Sequence, residues 1–412
     1  MNSSILRLKK INLENILIFL IFTFPISLLL GSLIINISII LIDIFFIFIL
    51  YRKKKFDFLN CTSFYLFLFF WLSLLINVTL SINFENSLSR SIGFVRFVFF
   101  IFAIKFIFNQ NLVNRKNFFL TWFLIFLLVT FDIIFETFIG HNILGFSNNF
   151  PGRVSSFLND ELKIGNYYLG FILIALSFVY YSFKNKKYFL LFFLLFFLTA
   201  LLIGERSNFL KTSVILFIFY FSIYKNSLLK HAVFAIISLS LVFIIISQQN
   251  NLKERFYNQI FINLSQHNFN LISFYKYTTY AAHHDAAFKI FRNYPIFGVG
   301  LKNFRAESPK DKYENLNFRF TESRASTHPH QIHFELLSET GLFGYLSFLV
   351  IFFLFLKRSI FTQYKTGNLY QLSGILFLSI SLMPLIPTGS FFTTYGAAIF
   401  WFNVAIIESF ND

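Results

Sequence analysis

The stretch that decides the fold is residues 326–344, which read STHPHQIHFELLSETGLFG. It places three histidines and two carboxylates immediately before a long apolar run. Pro329 suits the first position of a helix, because an N–H there would lack a partner anyway. We therefore predict a helix that begins at Pro329, with His330 in its first turn and three polar side chains on one face, namely Gln331, Glu335 and Glu339.

The predicted position of His330 also predicts its protonation state. The positive end of a helix disfavours a second positive charge, so this imidazole should be neutral at pH 7. A neutral imidazole is the state that a general base requires, and the same helix end attracts phosphate. The alternative is that these polar residues only cap a membrane helix.

Composition indicates an integral membrane protein. Of the 412 residues, 56% are hydrophobic and 13% are charged, and 67 are Phe. The formal net charge of +16 does not indicate nucleic-acid binding, because the basic residues cluster in short loops between apolar runs. The single cysteine, Cys61, excludes an internal disulfide and a cysteine-based metal site.

Apolar runs of about 20 residues predict the membrane spans. We predict an all-α polytopic membrane protein with about twelve transmembrane helices, in which residues 1–412 form a single membrane domain. The N-terminal apolar run is interpreted as an uncleaved first span, because it lacks a small-residue cleavage site. The predicted spans are 15–31, 33–50, 63–80, 91–108, 118–136, 164–182, 188–203, 209–224, 231–247, 341–356, 369–386 and 392–408.

Basic residues predict the orientation of these spans. With the N-terminus in the cytoplasm, all five basic loops fall on the cytoplasmic side, as the positive-inside rule expects. Both termini are then cytoplasmic. The basic loops contain residues 52–55, 115–116, 184–187, 225–230 and 357–365.

The opposite side of the membrane receives one long segment, residues 248–340, between the ninth and tenth spans. It holds most of the histidines. A connection of this length is uncommon unless it is functional. We predict short helices in it at about 252–266, 280–293 and 329–340, so the segment would form a mainly helical periplasmic loop that carries the catalytic motif.

Charged residues at the outer ends of spans are further candidates. Glu205 and Arg206 follow Gly204, and an ionisable pair at membrane depth is a functional hypothesis. Arginine suits phosphate because its planar fork makes two parallel hydrogen bonds. The alternative for Arg206 is an internal Glu–Arg pair or an anchor at the interface. Arg90 and Arg96 lie at the start of another span, and Arg96 is too deep for surface charge alone to account for it. Arg96 would pair with Glu85 or with a phosphate, and the alternative is a purely structural ion pair.

Glycines mark two outer turns. Gly298 and Gly300 would let the backbone approach a ligand or another segment closely, although a lone Gly-x-Gly is more often a simple turn. Gly152-Arg153 and residues 159–161 make a similar, weaker pattern in an earlier outer loop.

Three neighbouring histidines raise the hypothesis of a zinc site. His328, His330 and His333 could supply ligands, but a zinc site requires three protein ligands in a fixed geometry, and no His-Glu-x-x-His motif is present. We expect no metal here.

These motifs resemble a known family. His330-Gln331, followed after nine residues by a Gly-Leu-Phe-Gly string at 341–344, resembles the signature of bacterial O-antigen ligases. Residues 295–304 resemble the upstream Pro-x-x-Gly-x-Gly-x-x-x-Phe block of the O-antigen ligase/polymerase superfamily. Glu205-Arg206-Ser207 resembles its Ser-Arg-Gly element, and Gly152-Arg153 loosely resembles a Gly-Arg element. The resemblance covers about residues 150–345.

The resemblance implies an inverting, metal-independent and cofactor-free glycosyl transfer at the periplasmic face of the bacterial inner membrane. The donor would be a glycan on undecaprenyl pyrophosphate, and a ligase would use a sugar hydroxyl of the lipid A–core as acceptor. His330 would be the general base, and Arg206 would bind the pyrophosphate. The second essential arginine of the family has three candidates here, namely Arg255, Arg292 and Arg305. The alternative is that His283 or His284 takes its place. The expected supporting residues are Arg153, His328, Gln331, Glu339, Gly298, Gly300 and Gly341.

Other functions remain open at this point. An O-antigen polymerase uses the same donor but extends another lipid-linked glycan, and a protein O-glycosylating ligase differs again in its acceptor. Twelve spans with both ends inside also fit a polysaccharide transporter or flippase. Transporters tend to have matched halves, and the sequence shows none. Membrane lipids are the remaining expected partners.

Overall fold

The computed structural model describes residues 12–147, 150–159, 161–224, 228–384 and 386–411. Asp160 and Lys225, which belong to two of the predicted loops, and the basic N-terminal residues lie outside these ranges. The described residues form helices, turns and loops and contain no β-strand, which confirms the all-α prediction.

The α-helices of the described residues are α1 Leu13–Leu29, α2 Ser32–Lys53, α3 Thr62–Thr79, α4 Phe84–Gly93, α5 Val95–Asn109, α6 Arg115–Ile139, α7 Ile164–Ser182, α8 Lys186–Leu202, α9 Arg206–Ile223, α10 Leu228–Gln248, α11 Asn250–Leu252, α12 Asn263–Gln266, α13 Leu271–Lys276, α14 Thr279–Asn293, α15 Phe304–Glu307, α16 Ile332–Thr366, α17 Leu369–Ser381 and α18 Thr394–Glu408. A π-helical segment, Lys253–Ile262, joins α11 to α12. Short 3₁₀ turns lie at Phe56–Leu59, Ser156–Leu158, Asp311–Tyr313 and Thr321–Arg324.

Each predicted span coincides with a helix, but not each helix is long enough to cross a membrane. By length and composition, seven helical stretches of the described residues qualify, and α1, α17 and α18 are shorter apolar helices. The number of twelve crossings therefore stays a prediction. The qualifying stretches are Ser32–Lys53, Thr62–Thr79, Phe84–Asn109, Arg115–Ile139, Ile164–Ser182, Leu228–Gln248 and Ile332–Thr366.

The helices of the long segment agree with the sequence except at the third one. Helical structure covers 250–266 and 279–293, close to the predicted bounds. The predicted helix at 329–340 and the predicted span at 341–356 meet at Gly341, whose backbone is not helical (φ 61°, ψ −165°), so α16 consists of two helices joined at a kink. The expected boundary between loop helix and span coincides with this kink.

Side chains with an amide group begin many of the helices. In each case the amide oxygen accepts a hydrogen bond from a backbone N–H of the first turn, which would otherwise lack a partner. Six asparagines of this chain therefore have a structural use as caps. The capping residues and their helices are Asn12 (α1), Asn83 (α4), Asn114 (α6), Asn185 (α8), Asn270 (α13), Gln331 (α16) and Asn368 (α17).

Aromatic rings fill the centre of the bundle. Trp401 of α18 is 1% exposed. Lipid removes most of the hydrophobic driving force between helices, so packing contacts must hold them together. Edge-to-face aromatic pairs are each worth about 0.5–1.5 kcal/mol beyond area burial in soluble proteins. The rings of Phe67, Phe94, Phe352 and Phe400 have their centroids 5.4 to 5.8 Å from a neighbouring ring in this cluster.

The two ends of the bundle contain different segments and different polar contacts. At one end, which we call the basic end, the basic loops and the first and last described helix termini meet. The other end, which we call the site end, collects the C-terminal end of α17, the start of α16 and the loops before α7 and α9. The contacts of the basic end include a Glu14–Lys53 ion pair, Lys55 Nζ–Gln110 Oε1 at 2.5 Å, Lys105 Nζ–Glu408 Oε1 at 2.8 Å and Gln371 Nε2–Asn411 Oδ1 at 2.7 Å.

Candidate active site

His330 lies just before α16 rather than inside it. The prediction of a helix that begins at Pro329 is wrong, because Gln331 is the N-cap and has an extended backbone (φ −154°, ψ 127°). Its side-chain oxygen accepts hydrogen bonds from the N–H groups of His333 (2.7 Å) and Phe334 (3.1 Å). The cap delays the helix by three residues and leaves His330 in the left-handed region, at φ 55°.

The loop between α17 and α18 holds the backbone of His330 in this conformation. The N–H of Thr388 donates to the carbonyl oxygen of His330 at 2.7 Å. Further along the same loop, the Ser390 hydroxyl and the Phe391 N–H donate to the buried Glu335 carboxylate, the latter at 2.7 Å. A strained residue persists only where its surroundings fix it, and this loop supplies those contacts.

The His330 ring is surrounded by other rings. Its centroid lies 4.0 Å from that of His328, 5.0 Å from that of His283 and 6.0 Å from that of Tyr280. Burial lowers the pKa of His330, because a charged imidazole is poorly solvated there. The ring is therefore neutral at pH 7, as the sequence predicted, but the cause is burial and not the end of a helix.

The neighbouring imidazoles are uncharged for the same reason. Burial, followed by the nearby histidines, lowers the pKa of His283 and of His284 to about 4. Burial, followed by the proximity of His330, lowers that of His328 to about 3. An uncharged ring supplies no positive charge to a pyrophosphate, so the suggestion that His283 or His284 replaces an arginine loses its physical basis.

The glycine-rich turn packs against the kink of α16. Val299 and Gly300 donate their N–H groups to the carbonyls of Ser338 and Glu339, each at 2.9 Å. In return, the N–H groups of residues 342 and 343 donate to the carbonyls of residues 295 and 296, at 2.8 and 3.0 Å. A Cβ on Gly298 would lie 2.5 Å from the Glu339 carbonyl carbon. Of the two predicted uses of these glycines, contact with another segment is the one that the structure shows.

Cationic side chains lie on one side of His330 and its neighbouring histidine rings. Arg305 follows the glycine turn, is exposed, and lies close enough to contribute to the lowered pKa of His328. Burial, followed by the charges of Arg90 and Arg305, lowers the pKa of Lys302. The buried Glu339 carboxylate accepts the N–H of Phe304 at 3.3 Å and so anchors the start of α15. Of the three candidate loop arginines, Arg305 is the one that lies beside the histidines.

Two cations of this group were missed as site residues. Arg90 of α4 was noted only for its position at the start of a span, and Lys302 was given no role. Arg90 is far from His330 in the sequence and Lys302 lies in a turn, so the spacing of residues along the chain gives no signal that either belongs to the site. Arg96, for which Glu85 was one expected partner, lies instead within electrostatic reach of Asp43 of α2.

A second cationic group surrounds the start of α9. Glu205 forms an ion pair with Arg153 at 3.1 Å, so the internal pair considered for Arg206 forms with a different arginine. Arg255 donates from Nε to the carbonyl of Gly204 at 2.9 Å. Burial, followed by the charges of Arg153 and Arg206, lowers the pKa of Arg255. Three predicted site arginines thus lie together.

Two glycines allow this second group to assemble. A Cβ on Gly204 would lie 1.8 Å from the carbonyl oxygen of Gly152, so only glycine fits there. The weak Gly152-Arg153 pattern and the Glu205-Arg206 element, separated by about fifty residues, are therefore in direct contact.

The loop between α17 and α18 connects the two groups. Lys211 of α9 is 4% exposed and donates from Nζ to the carbonyl of Pro387 at 2.6 Å, and the next residue, Thr388, holds His330. The span predicted over 369–386 left this loop without a role. In the structure α17 ends at Ser381. Pro384, Pro387 and Gly389 were the available signal, because they do not continue a helix.

Arg292 is not part of either group. It is exposed in the last turn of α14, nine residues after His283. At 1.5 Å per residue, it lies about 13 Å along the helix from the ring that packs against His330.

The zinc hypothesis gains no support from the geometry. Among the described residues, no group of three or more His, Cys, Asp and Glu is placed to hold a metal ion. His333 uses both ring nitrogens elsewhere, at 2.8 Å from the Leu382 carbonyl and 3.1 Å from the Tyr345 hydroxyl.

Two cavities lie far from His330, at the basic end. One of about 640 Å³ is bordered by Leu354 and Tyr364, and one of about 310 Å³ by Arg115 and Tyr370. Neither is lined by histidine or carboxylate side chains.

Fold and site together define a multi-helix membrane protein with a histidine- and arginine-rich site at one end. Residues 190–349 match the family model described as O-antigen ligase, which confirms the resemblance over that stretch. The stretch is shorter than half of the chain and includes Arg206, the glycine turn and His330. No curated protein matches the chain. The family match indicates a glycosyltransferase activity of the ligase or polymerase type, with lipid-linked glycan and glycan acceptor as its substrate class.

Proposed function

We propose that this protein is an inverting glycosyltransferase that moves a glycan from undecaprenyl pyrophosphate to a sugar hydroxyl of the lipid A–core. The observation that carries the proposal is an uncharged histidine with cations on one side of its neighbours and a second cationic group at the same end of the bundle. His330, Arg206, Arg255 and Arg305 all lie inside the stretch that matches the O-antigen ligase family. Chemistry of this kind needs a base, cationic donors and access for a lipid-linked donor.

His330 takes the proton of the acceptor hydroxyl in this mechanism. The acceptor oxygen forms a bond to the anomeric carbon of the donor sugar as the bond from that carbon to the pyrophosphate oxygen breaks. The configuration at the anomeric carbon inverts, and undecaprenyl pyrophosphate leaves. A positioned general base contributes about 10²- to 10⁴-fold to such a reaction.

The arginines stabilise the departing pyrophosphate. Arg206 and Arg255 serve on the α9 side, with Arg153 neutralising Glu205, and Arg305 serves on the side of His328. Cationic donors that are fixed where negative charge develops need no reorganisation during the reaction. No step in this scheme requires a metal or a cofactor.

We assign the site end to the periplasm and both termini to the cytoplasm. The support is the position of the basic loops, which lie at the opposite end of the bundle from His330, as the positive-inside rule predicts. Residues 248–340 then form a periplasmic loop within a single membrane domain of about twelve spans in the bacterial inner membrane.

The test is turnover by the purified full chain. With lipid-linked glycan and lipid A–core, we expect glycan attached to the core. With donor alone, a lengthening lipid-linked glycan would identify a polymerase instead. His330→Ala should lower kcat at least about 100-fold, whereas His267→Ala, a histidine of the same long segment outside the site, should retain activity. Full activity of the His330 variant would remove the base assignment.

A further inference from the structure

The imidazoles around His330 share an incomplete pattern of hydrogen bonds. His284 is bonded through Nδ1 to the Tyr275 hydroxyl at 2.7 Å, and His328 through Nδ1 to the Thr327 hydroxyl at 2.9 Å. His283 has a hydrogen bond with the backbone of Ser323. Within the described part of the chain, the second nitrogen of each ring is buried and has no partner.

Such nitrogens indicate a ligand. His283 is 7% exposed and His284 is 3% exposed, so solvent does not satisfy them. A buried polar atom without a partner is costly, and native proteins contain few of them. Three around one histidine are better explained by a polar molecule that binds among the rings.

The chemistry of the rings selects the class of ligand. With pKa values of about 3 to 4, all three imidazoles are uncharged near neutral pH. A neutral imidazole nitrogen either donates or accepts one hydrogen bond, and a hydroxyl can do both. Phosphate would instead favour the arginine groups on either side. The rings of Tyr280 and Phe334, which pack against His284, add apolar faces suited to a sugar ring.

We propose that His283, His284 and His328 form a recognition site for the hydroxyl groups of the acceptor sugar, directly beside His330. The assignment rests on the proposed glycosyl transfer and extends it, because it separates acceptor binding from pyrophosphate binding. His330 removes one proton, and its three neighbours hold other hydroxyls of the same sugar in place.

The experiment measures sugar binding to the purified full chain without turnover. The probes are the deacylated lipid A–core oligosaccharide and, separately, the glycan released from the lipid-linked donor. His284→Phe and His328→Phe keep ring volume and remove both nitrogens. His267→Phe is the matched control, because His267 lies in the same segment, packs on Tyr277 and has no contact with His330 among the described residues.

We expect one probe to bind the wild type, with Kd raised at least tenfold in His284→Phe and His328→Phe and unchanged within twofold in the control. His328→Gln places an amide near the position of Nε2 and should recover part of the affinity even where the Phe variants fold poorly. In turnover, the acceptor KM should rise and the donor KM should stay unchanged.

Two results would overturn the inference. One is that neither probe binds the wild type, and the other is that the variants bind as tightly as the wild type. Either result leaves the proposed function standing if the wild type still transfers glycan. Absence of transfer by the wild type, with probe binding intact and sensitive to the variants, would instead contradict the proposed function alone.

Discussion

His330 joins two properties that usually conflict, because its ring is largely buried yet must meet a substrate. Burial keeps the imidazole neutral, and the left-handed backbone turns the residue out of the helix that follows. The Gln331 cap makes this possible.

The lowered pKa of His330 predicts the pH profile. The base is active when neutral, and a folded-state pKa below the ordinary value extends the neutral form to lower pH. We expect the acid limb of kcat/KM to have its midpoint below about 6.5, the ordinary histidine value. Initial rates in buffers of constant ionic strength will show this. An acid limb at or above that value would contradict the argument.

At the level of elements, the glycine turn and α16 act as one unit. Four backbone hydrogen bonds join residues 295–300 to the kink at Gly341, so the two sequence blocks of the family resemblance form one structure. Glu339 and Glu335 extend from the same helix to α15 and to the α17–α18 loop. The position of His330 therefore depends on three segments that are far apart in sequence.

Gly341→Ala should disrupt this unit. A Cβ there would lie 2.4 Å from the Ile296 carbonyl, and the backbone region is one that essentially only glycine occupies. We expect a loss of about 3 kcal/mol or more from strain and overpacking together. Loss of helical circular dichroism on heating the protein in detergent will measure it.

Gly367→Ala is the matched control for this substitution. Gly367 also has a positive φ, 63°, but a Cβ would meet nothing within 4 Å. Only the conformational cost of roughly 1–2 kcal/mol applies there. Equal destabilisation of the two variants would show that the contact with residue 296 contributes nothing.

Lys211→Met should lower kcat, because it changes the position of His330. Without the hydrogen bond to Pro387, the loop that holds His330 loses a support, and a displaced base lowers kcat by about tenfold or more. The donor KM should change little, and Lys211→Arg should recover part of kcat. The exposed Lys230→Met is the control. A raised donor KM with kcat unchanged would show instead that Lys211 binds the donor directly.

For the molecule as a whole, the two ends of the bundle differ in chemistry. The basic loops lie at one end, and most of the histidines, the two arginine groups and the long segment lie at the other. The aromatic centre around Trp401 joins them. This polarity fits an enzyme that meets a lipid-linked substrate at one membrane surface.

Cysteine labelling will test the orientation. In a Cys61→Ser background, Leu316→Cys and Tyr364→Cys place single thiols at positions that are each 85% exposed, the first in the long segment and the second at the basic end. In intact cells freed of the outer membrane barrier, an impermeant maleimide should label the first and not the second. Disruption of the inner membrane should expose both. The reverse pattern would place His330 in the cytoplasm.

The linear pattern of residues was sufficient to predict the helical class, the position of each predicted span on a helix, the histidine motif and the grouping of basic loops. Apolar length, charge and glycine content are local properties, so a linear pattern is sufficient for them. It misplaced the start of α16, because a side-chain cap outweighed the preference of Pro329 for a helix start.

Only the tertiary structure decided which charges meet. It paired Glu205 with Arg153, brought Arg90 and Lys302 beside Arg305, left Arg292 outside, and used the α17–α18 loop to connect Lys211 with His330. It also placed His283 and His328 against His330 and His284 within electrostatic reach of it, each with one unsatisfied nitrogen among the described residues. These contacts join residues tens to hundreds of positions apart, and their energies depend on burial and distance, which spacing along a chain does not contain.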